Sequence, residues 1–338
     1  MLGVGANSFQ GLQGSFILHE RNFDIGNFPR TFGELFSGNA WRGGGQEFRL
    51  SVMPGTQINS LDVMFREPYL FDLPISLTTE AYVQQRYQFN YTEGRAGGRV
   101  ALGKQFGPSI YADISGRAEN VNFYGFKTPA PADYLAAQGH TNLFTIKPRI
   151  LFDNRNNPFS PNKGSYLEFS NETAFGTFQF NKVTAEGRKY FTLYTRPDGT
   201  GARFITMRSF FGISTPDTPV YERFFAGNFR SIRGFQYRGV GPRVDGDNVG
   251  GLLSALGSVE YQFPWTANDM FQQVVFCDFG TVERNYDLRN VRVAVGTGVR
   301  VNVPALGPLP LAFDLAIPVV KADGDRVQYF NFFIGAFW

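Results

Sequence analysis

The sequence predicts an all-β chain that forms a transmembrane antiparallel β-barrel of about 16 strands. The prediction rests on the composition and on runs of alternating apolar and polar residues that are separated by turn residues. Apolar residues make up 43% of the 338 residues, with 37 Phe and 39 Gly, yet the mean hydropathy is only −0.20. A barrel wall reconciles these values, because alternate residues face lipid and a wet lumen. No apolar run approaches the ~18 residues that a membrane helix needs. Instead, residues alternate over runs of roughly 9–14, as tilted membrane strands require.

Turn signals of Gly, Pro, Asn and Asp divide the chain into the strand-like runs of this prediction. The runs cover residues 2–9, 12–22, 46–55, 60–69, 75–89, 94–106, 109–123, 142–153, 165–175, 178–194, 202–214, 252–264, 270–282, 291–303, 309–320 and 326–338. An even number of strands returns both termini to one side of the membrane, which we expect to be the periplasmic side.

The connections between the runs follow the same parity. Short turns at 264–269 and 304–308 fall on the side of the termini, whereas the long connections 124–141 and 215–251 fall on the extracellular side. Short turns inside and long loops outside are the habit of these barrels. Residues 23–45 break this pattern, because they form a long insertion on the side of the termini.

The clearest alternation lies in the run 291–303. Its apolar face carries Val295 and Val299, and the opposite face carries Arg292 and Arg300. A strand of a soluble sandwich does not normally place two arginines opposite an apolar face over this length. A strand between lipid and a polar lumen does.

The chain ends in a run whose alternate residues are apolar. Phe330, Phe332, Ile334 and Ala336 share one face, and the aromatic Trp338 closes the chain. This pattern resembles the C-terminal signal of bacterial outer-membrane barrels. The alternative is the last strand of a soluble sheet, which would leave Trp338 exposed at the end of the chain.

The segment 224–241 lies in the longest connection and carries arginines among glycines and aromatics, namely Arg230, Arg233 and Arg238. A guanidinium inside a barrel needs a partner, because burying an unpaired charge costs several kcal/mol. Alternation points Glu260 and Asp278 into the lumen from neighbouring strands. We therefore expect this long extracellular loop to fold into the lumen and to be pinned there.

Two alternatives remain open for these residues. The arginine and glycine can form an ordinary turn. The lumen acids can be solvated, or they can pair with Arg292 or Arg300.

The residues Ile232-Arg233-Gly234-Phe235 resemble the hydrophobic-Arg-Gly-aromatic motif in the sixth extracellular loop of the BamA family of outer-membrane insertases. The stretch 151–165 resembles the family's periplasmic hairpin of Asp, Arg, Pro and Gly. Glu67-Pro68-Tyr69 resembles its Asn-Pro-Tyr turn, with Glu67 in place of Asn. The resemblance covers nearly the whole chain and is densest from 221 to 338. It departs at the 23–45 insertion.

The resemblance implies roles for individual residues. Ile232, Arg233, Gly234 and Phe235 would form a loop lock, and the lumen anchors would be Glu260, Asp278 and Gly280. It also implies a location in the bacterial outer membrane, or in an organelle outer membrane of bacterial descent. The implied partners are unfolded outer-membrane proteins, outer-membrane lipids, POTRA modules on the same precursor and accessory lipoproteins.

The seam between the first and last strands is where insertase activity is expected. A closed barrel pairs these strands, and an opened seam exposes edges that can template an incoming strand. The seam residues would be Gly3, Gly5, Phe332, Ile334, Gly335 and Trp338. Glycine weakens strand packing, although the same glycines can serve strand curvature alone.

Two other functions compete with the insertase. A two-partner secretion translocator, which passes unfolded polypeptide through its lumen, shares the loop motif. An N-terminal plug helix and a large conductance would favour it, and no such helix is visible. A passive porin would leave Arg233, Glu260 and Asp278 without a purpose.

Enzymatic, metal and nucleic-acid functions find little support. His19 and His140 have no neighbouring nucleophile motif, and Asp245-Gly246-Asp247 lacks the rest of a calcium loop. We therefore expect no enzyme, cofactor or metal. A net charge of +3, from 32 basic and 29 acidic residues, gives no electrostatic reason to expect nucleic acid.

The start of the chain lacks a basic region followed by an apolar core, so no signal peptide is visible. Because a secreted barrel needs one, we expect residues 1–338 to be a single barrel domain from a longer precursor, without its POTRA modules. The single cysteine, Cys277, excludes an internal disulfide.

Overall fold

The computed structural model describes residues 2–8, 10–36, 38, 40–127, 129–303 and 311–337, which form a closed antiparallel barrel of sixteen strands. The strands are β1 Leu2–Asn7, β2 Gly11–Phe23, β3 Gln46–Met53, β4 Ile58–Glu67, β5 Ser76–Tyr87, β6 Thr92–Phe106, β7 Ile110–Tyr124, β8 Gly139–Asp153, β9 Gly164–Gly176, β10 Phe180–Tyr194, β11 Arg203–Ser214, β12 Leu253–Pro264, β13 Phe271–Glu283, β14 Arg292–Val301, β15 Leu311–Val320 and β16 Phe330–Phe337. The predicted fold class and strand number are confirmed.

Alternation decides which side chains enter the lumen. On β13, Val275 and Phe279 are 46% and 42% exposed on the outer face, whereas Val274 and Asp278 are fully buried inside. On β14, Arg292 and Arg300 are buried on the inner face, as their positions in the sequence predicted. A wall of this kind is apolar towards lipid and polar towards the interior.

The even strand number places both ends of the chain at the same end of the barrel. At that end, the connection between β2 and β3 contains the helix α1, Phe32–Phe36. A β-bridge between Phe23 and Arg42 extends the pairing of β2 into this connection. The opposite end carries the helix α2, Ala132–Ala136. The predicted turn 304–308 lies outside the described residues. No helix in the described part of the chain is long and apolar enough to cross a membrane.

Residues 215–252, here called the lumen loop, fold back into the barrel. Ile232 and Phe235 are fully buried and pack with Val282 and Ala294 of the wall. The loop narrows to a neck where Phe224 and Gly251 exchange backbone hydrogen bonds of 3.0 and 2.9 Å. The predicted loop inside the lumen is therefore confirmed.

The last strand is shorter than the predicted run 326–338. Val327–Gln328 leaves the wall and pairs with Gly234–Phe235 of the lumen loop, and β16 begins only at Phe330. The loop offers these residues backbone partners inside the barrel, so the strand does not continue upward along β15. Trp338 lies outside the described residues.

Candidate functional site

The chain turns sharply beside Arg233, and Gly234 makes this turn possible. Gly234 has a φ of +90°, which L side chains rarely adopt, and a Cβ there would lie 3.3 Å from Pro318 and 3.4 Å from Cβ of Ala294. Ile232 and Phe235, on either side of the pair Arg233-Gly234, are fully buried. The turn thus holds Arg233 against the wall formed by β12 to β15.

Asp278 receives the guanidinium in a bidentate pair. Nε of Arg233 donates to Oδ2 at 2.7 Å, and Nη2 donates to Oδ1 at 2.8 Å. The backbone N–H of Arg233 also donates to Oδ2, at 3.0 Å. Since Arg233 is 1% exposed and Asp278 is fully buried, both charges depend on this geometry for compensation.

Two further carboxylates share Nη1 of Arg233. Oε2 of Glu260 accepts at 2.7 Å and Oδ2 of Asp314 at 3.2 Å. Arg300 lies on the other side of the same acids, with Nη1 donating to Oδ1 of Asp314 at 2.6 Å and Nη2 3.6 Å from Glu260. The acids are therefore shared between one arginine from the loop and one from the wall.

A serine and an aromatic ring complete this group. Oγ of Ser258 donates to Oδ1 of Asp278 at 2.7 Å and accepts from Arg208 at 3.3 Å. Cζ of Arg233 lies 3.3 Å from the centre of the Phe276 ring, a cation–π contact. We call the group the lock cluster; it consists of Arg208, Arg233, Ser258, Glu260, Phe276, Asp278, Arg300 and Asp314.

The lock cluster is electroneutral only when the loop is in place. Its acids are Glu260, Asp278 and Asp314, and the wall itself supplies only Arg208 and Arg300. Arg233 brings the third positive charge. Withdrawing the loop would break the bidentate pair with Asp278 and leave three carboxylates of the wall with two positive charges.

The seam between β1 and β16 is closed by a short ladder. Its register runs from Gly3↔Phe337 to Asn7↔Phe333, and Gly5 lies opposite Gly335. The ladder between β7 and β8 runs from Ile110↔Phe152 to Phe123↔Gly139, whereas the described ladder between β15 and β16 is also short, from Ala312↔Phe333 to Leu315↔Phe330.

The lumen loop touches the seam strand directly. The ring of Phe229 stacks on that of Phe333 of β16, with centroids 6.4 Å apart and an interplanar angle of 24°. Phe333 is paired with Asn7 across the seam. One loop therefore contacts both the lock cluster and the seam.

A barrel of sixteen strands with an arginine-bearing loop in its lumen narrows the choice of families. The Omp85 superfamily domain matches residues 40–338. This chain belongs to the Omp85 superfamily. The match begins at residue 40 and so leaves out β1, β2 and most of the 23–45 insertion.

The curated proteins to which this Omp85 chain is similar include an outer membrane protein assembly factor. It is 23% identical over 353 residues to the outer membrane protein assembly factor BamA of Nitratidesulfovibrio vulgaris, a match covering 99% of this chain and 41% of that protein. It is 25% identical over 201 residues to the SAM50-like protein CG7639 of Drosophila melanogaster, which covers 55% of this chain and 43% of that protein. The chain thus spans about two fifths of the length of these relatives.

Solved structures agree on the fold. The BamA structure from Haemophilus ducreyi lacking POTRA domains 1–3 superposes with a TM-score of 0.80 at 18% identity, covering 99% of this chain and 69% of that one. CdiB from Acinetobacter baumannii gives a TM-score of 0.61 at 12% identity, covering 99% and 59%. The barrel of this Omp85 chain is of the BamA type.

The structure brings most of the predicted lock residues together. Arg233 meets Glu260 and Asp278, whereas Gly280 has no side chain to offer the guanidinium. Gly280 has a φ of +151°, and a Cβ there would lie 2.4 Å from the carbonyl oxygen of Ala255, so it relieves crowding in β13. Whether these residues lock the loop for function stays a prediction.

The structure shows which of the other arginines pair with the lumen acids. Arg300 does share Glu260, but Arg292 pairs instead with Asp325, at 3.0 Å. Asp314 and Ser258 were not assigned to the site from the sequence. Both lie on inward-facing positions, so alternation was the signal that could have found them.

Two smaller family matches have local structural reasons. Arg155 forms a bidentate pair with Asp153, at 2.9 and 2.7 Å, and this pair braces the turn after β8. Oε1 of Glu67 accepts from the N–H of Tyr69 at 3.0 Å. Glu67 thereby caps its turn as an Asn would.

Proposed function

We propose that this Omp85 barrel folds and inserts other outer-membrane barrel proteins through the seam between β1 and β16. The single observation that carries the proposal is that only the short ladder from Gly3↔Phe337 to Asn7↔Phe333 joins the first described strand to the last, beside a loop held in the lumen. Opening it breaks few hydrogen bonds, each contributing about 0.5–1.5 kcal/mol net.

The opened seam would act by strand addition. The freed edges of β1 and β16 present unpaired backbone groups, which an incoming strand can pair with one by one. No covalent bond is made or broken. The lock cluster joins β12 to β15, the last of which pairs with β16, and so keeps this part of the wall in register while the seam parts.

The relatives support the cellular setting of this proposal. BamA is described as an outer membrane protein assembly factor, and its likeness covers 99% of this chain. We place the barrel in an outer membrane with both termini on the periplasmic side. Its partners would be unfolded barrel proteins, lipids, POTRA modules on the same precursor and accessory lipoproteins.

A reversible cross-link across the seam tests the proposal. Ala6 and Ile334 lie directly opposite each other in the ladder. In a Cys277→Ser background, Ala6→Cys with Ile334→Cys should block insertion of an unfolded barrel substrate when oxidised, and reductant should restore it. The assay uses the complete natural protein in lipid vesicles.

The chain offers a matched control for this cross-link. Ala112 and Ile150 form the same residue pair across β7 and β8, away from the seam. Oxidation of Ala112→Cys with Ile150→Cys should leave insertion unchanged. Equal insertion rates for the oxidised and reduced seam pair would refute the insertase.

The translocator remains the second candidate, because CdiB barrels share the fold. Transport through the lumen would require the loop to leave, since Arg233 and its neighbours occupy the interior. If the oxidised seam retains full activity while a polypeptide crosses the barrel, the translocator is the correct function.

A further inference from the structure

A second charged cluster lies where the lumen loop meets β6, β7 and β10. The one-turn 3-10 helix Val220–Glu222 runs along this stretch of wall, and its residues are only 2, 4 and 7% exposed. Glu222 is the acid of this turn. It lies in the loop before Arg233 and plays no part in the lock cluster.

Three basic residues from three strands surround the Glu222 carboxylate. Nη1 of Arg95 donates to Oε1 at 2.7 Å, and Nη1 of Arg117 lies 3.5 Å from the same oxygen. Nζ of Lys182 lies 3.6 Å from Oε2 and donates to the backbone oxygen of Glu222 at 2.7 Å. The wall thus recognises both the side chain and the backbone of this residue.

The bases that receive Glu222 are themselves held by acids of the wall. Arg95 pairs with Glu93 at 2.6 Å and with Glu119 at 3.0 Å. Arg117 pairs with Glu119 and Glu172, both at 2.8 Å. Their guanidinium groups are therefore oriented by the wall, so the loop carboxylate enters a preformed site and orders few side chains on arrival.

Neighbouring contacts fix the turn in one position. Arg95 also donates to the backbone oxygen of Tyr221 at 3.2 Å, and the Tyr221 hydroxyl lies 2.8 Å from Oγ1 of Thr141. Val220 and Tyr221 pack in an apolar cluster with Phe123 of β7. This side of the loop is therefore attached to the wall by ion pairs, hydrogen bonds and apolar contacts.

We propose that Glu222 is a positioning residue: it anchors the lumen loop to β6, β7 and β10 and thereby sets where Arg233 meets the lock cluster. The two anchors carry opposite charges. Exchanging them would bring Arg233 towards Arg95, Arg117 and Lys182, and would bring Glu222 towards carboxylates. Glu222 lies against basic side chains and Arg233 against acidic ones, so the two anchors are not interchangeable.

Only the consequence for insertion rests on the proposed function; the anchoring itself is a statement about the loop. It can be measured with a spin label at the exposed residue 230, as Arg230→Cys in a background without other cysteines. The complete natural protein is used in lipid nanodiscs. Glu222→Gln should convert the immobilised spectrum into a mobile one, and Arg233→Gln should do the same.

Two variants serve as references for the label. Glu222→Asp keeps the charge and should retain most of the immobilised signal. Glu168→Gln removes a lumen carboxylate that pairs with Arg149 of the wall, and it should leave the spectrum unchanged.

A double mutant separates positioning from general damage. If Glu222 acts by setting the position of Arg233 in the lock cluster, the two substitutions are coupled. Glu222→Gln combined with Arg233→Gln should then mobilise the label by less than the sum of the single effects. Additive effects, or an immobilised label in Glu222→Gln, would overturn the anchor. If Glu222→Gln fails to fold, Lys182→Gln tests the same site, and it too should loosen the label.

The insertion assay then distinguishes the two proposals. A mobile label with no insertion even in the unsubstituted protein leaves the anchor standing and removes the insertase. Normal insertion together with an unaffected label in Glu222→Gln would leave the insertase standing and remove the anchor.

Discussion

At the scale of single residues, the lock cluster shows how the charge of one buried arginine is compensated. Asp278 takes three hydrogen bonds from Arg233, two from the guanidinium and one from the backbone. Glu260 takes one and keeps Arg300 as a second partner, and its side chain is 12% exposed. The two acids are therefore unequal, although the sequence presents them as a symmetrical pair.

This inequality predicts different costs of substitution. Asp278→Asn should lower the free energy of unfolding by about 3–5 kcal/mol, because it leaves Arg233 buried with its main partner neutralised. Glu260→Gln should cost less, since water and Arg300 compensate. Urea titration of the barrel in lipid vesicles, followed by tryptophan fluorescence, measures both.

Glu186→Gln is the control for this comparison. Glu186 pairs with Arg188 at a position where its side chain is 33% exposed, so its loss should cost less than about 1 kcal/mol. Equal destabilisation by Asp278→Asn and Glu260→Gln would contradict the assignment of Asp278 as the main anchor.

At the scale of elements, β14 owes its place in the site to glycines as much as to Arg300. A Cβ on Gly298 would lie 1.8 Å from Oδ1 of Asp314, and one on Gly296 would lie 2.4 Å from the Phe276 ring. The sequence placed these glycines on the lumen face, but it offered no sign of what fills the space. That depends on side chains arriving from β13 and β15, which alternation within β14 does not reveal.

Gly298→Ala should therefore disturb the lock cluster without touching any charge. The added methyl group displaces the Asp314 carboxylate from Arg233 and Arg300, and we expect a loss of about 1–3 kcal/mol, as for an overpacked core. Gly116→Ala, on β7, is the matched control. A Cβ there meets nothing closer than 3.9 Å, so stability should stay within about 0.5 kcal/mol. Equal unfolding midpoints for both variants would show that the space beside Gly298 is not needed.

At the scale of the whole molecule, features that follow from local patterns could be predicted from the sequence, whereas contacts between distant segments could not. Period-two alternation predicted the strands, the barrel and the inward direction of Glu260 and Asp278, because each depends only on neighbouring residues. The contacts of Glu222 were not predicted, because its partners Arg95, Arg117 and Lys182 are distant from it in the sequence. No local signal marks a loop residue whose partners are assembled only when the barrel closes.

The neck of the lumen loop allows the part of the loop that carries Arg233 to be removed as a test of its effect on the barrel. Phe224 and Gly251 exchange two backbone hydrogen bonds, the arrangement that a two-residue hairpin turn closes. Replacing residues 225–250 by Asn-Gly should therefore keep the barrel closed.

Loop removal and lock removal should have different consequences for the lumen. The Asn-Gly replacement removes residues 225–250 from the interior and leaves the Glu222 turn, so planar-bilayer recordings should show a large, steady conductance, and insertion should be lost. Arg233→Gln keeps the loop and its second anchor at Glu222, so its conductance should rise much less. Equal conductance in the two variants would mean that Arg233 alone holds the loop in the lumen, whereas no increase in either would mean that the loop does not obstruct it.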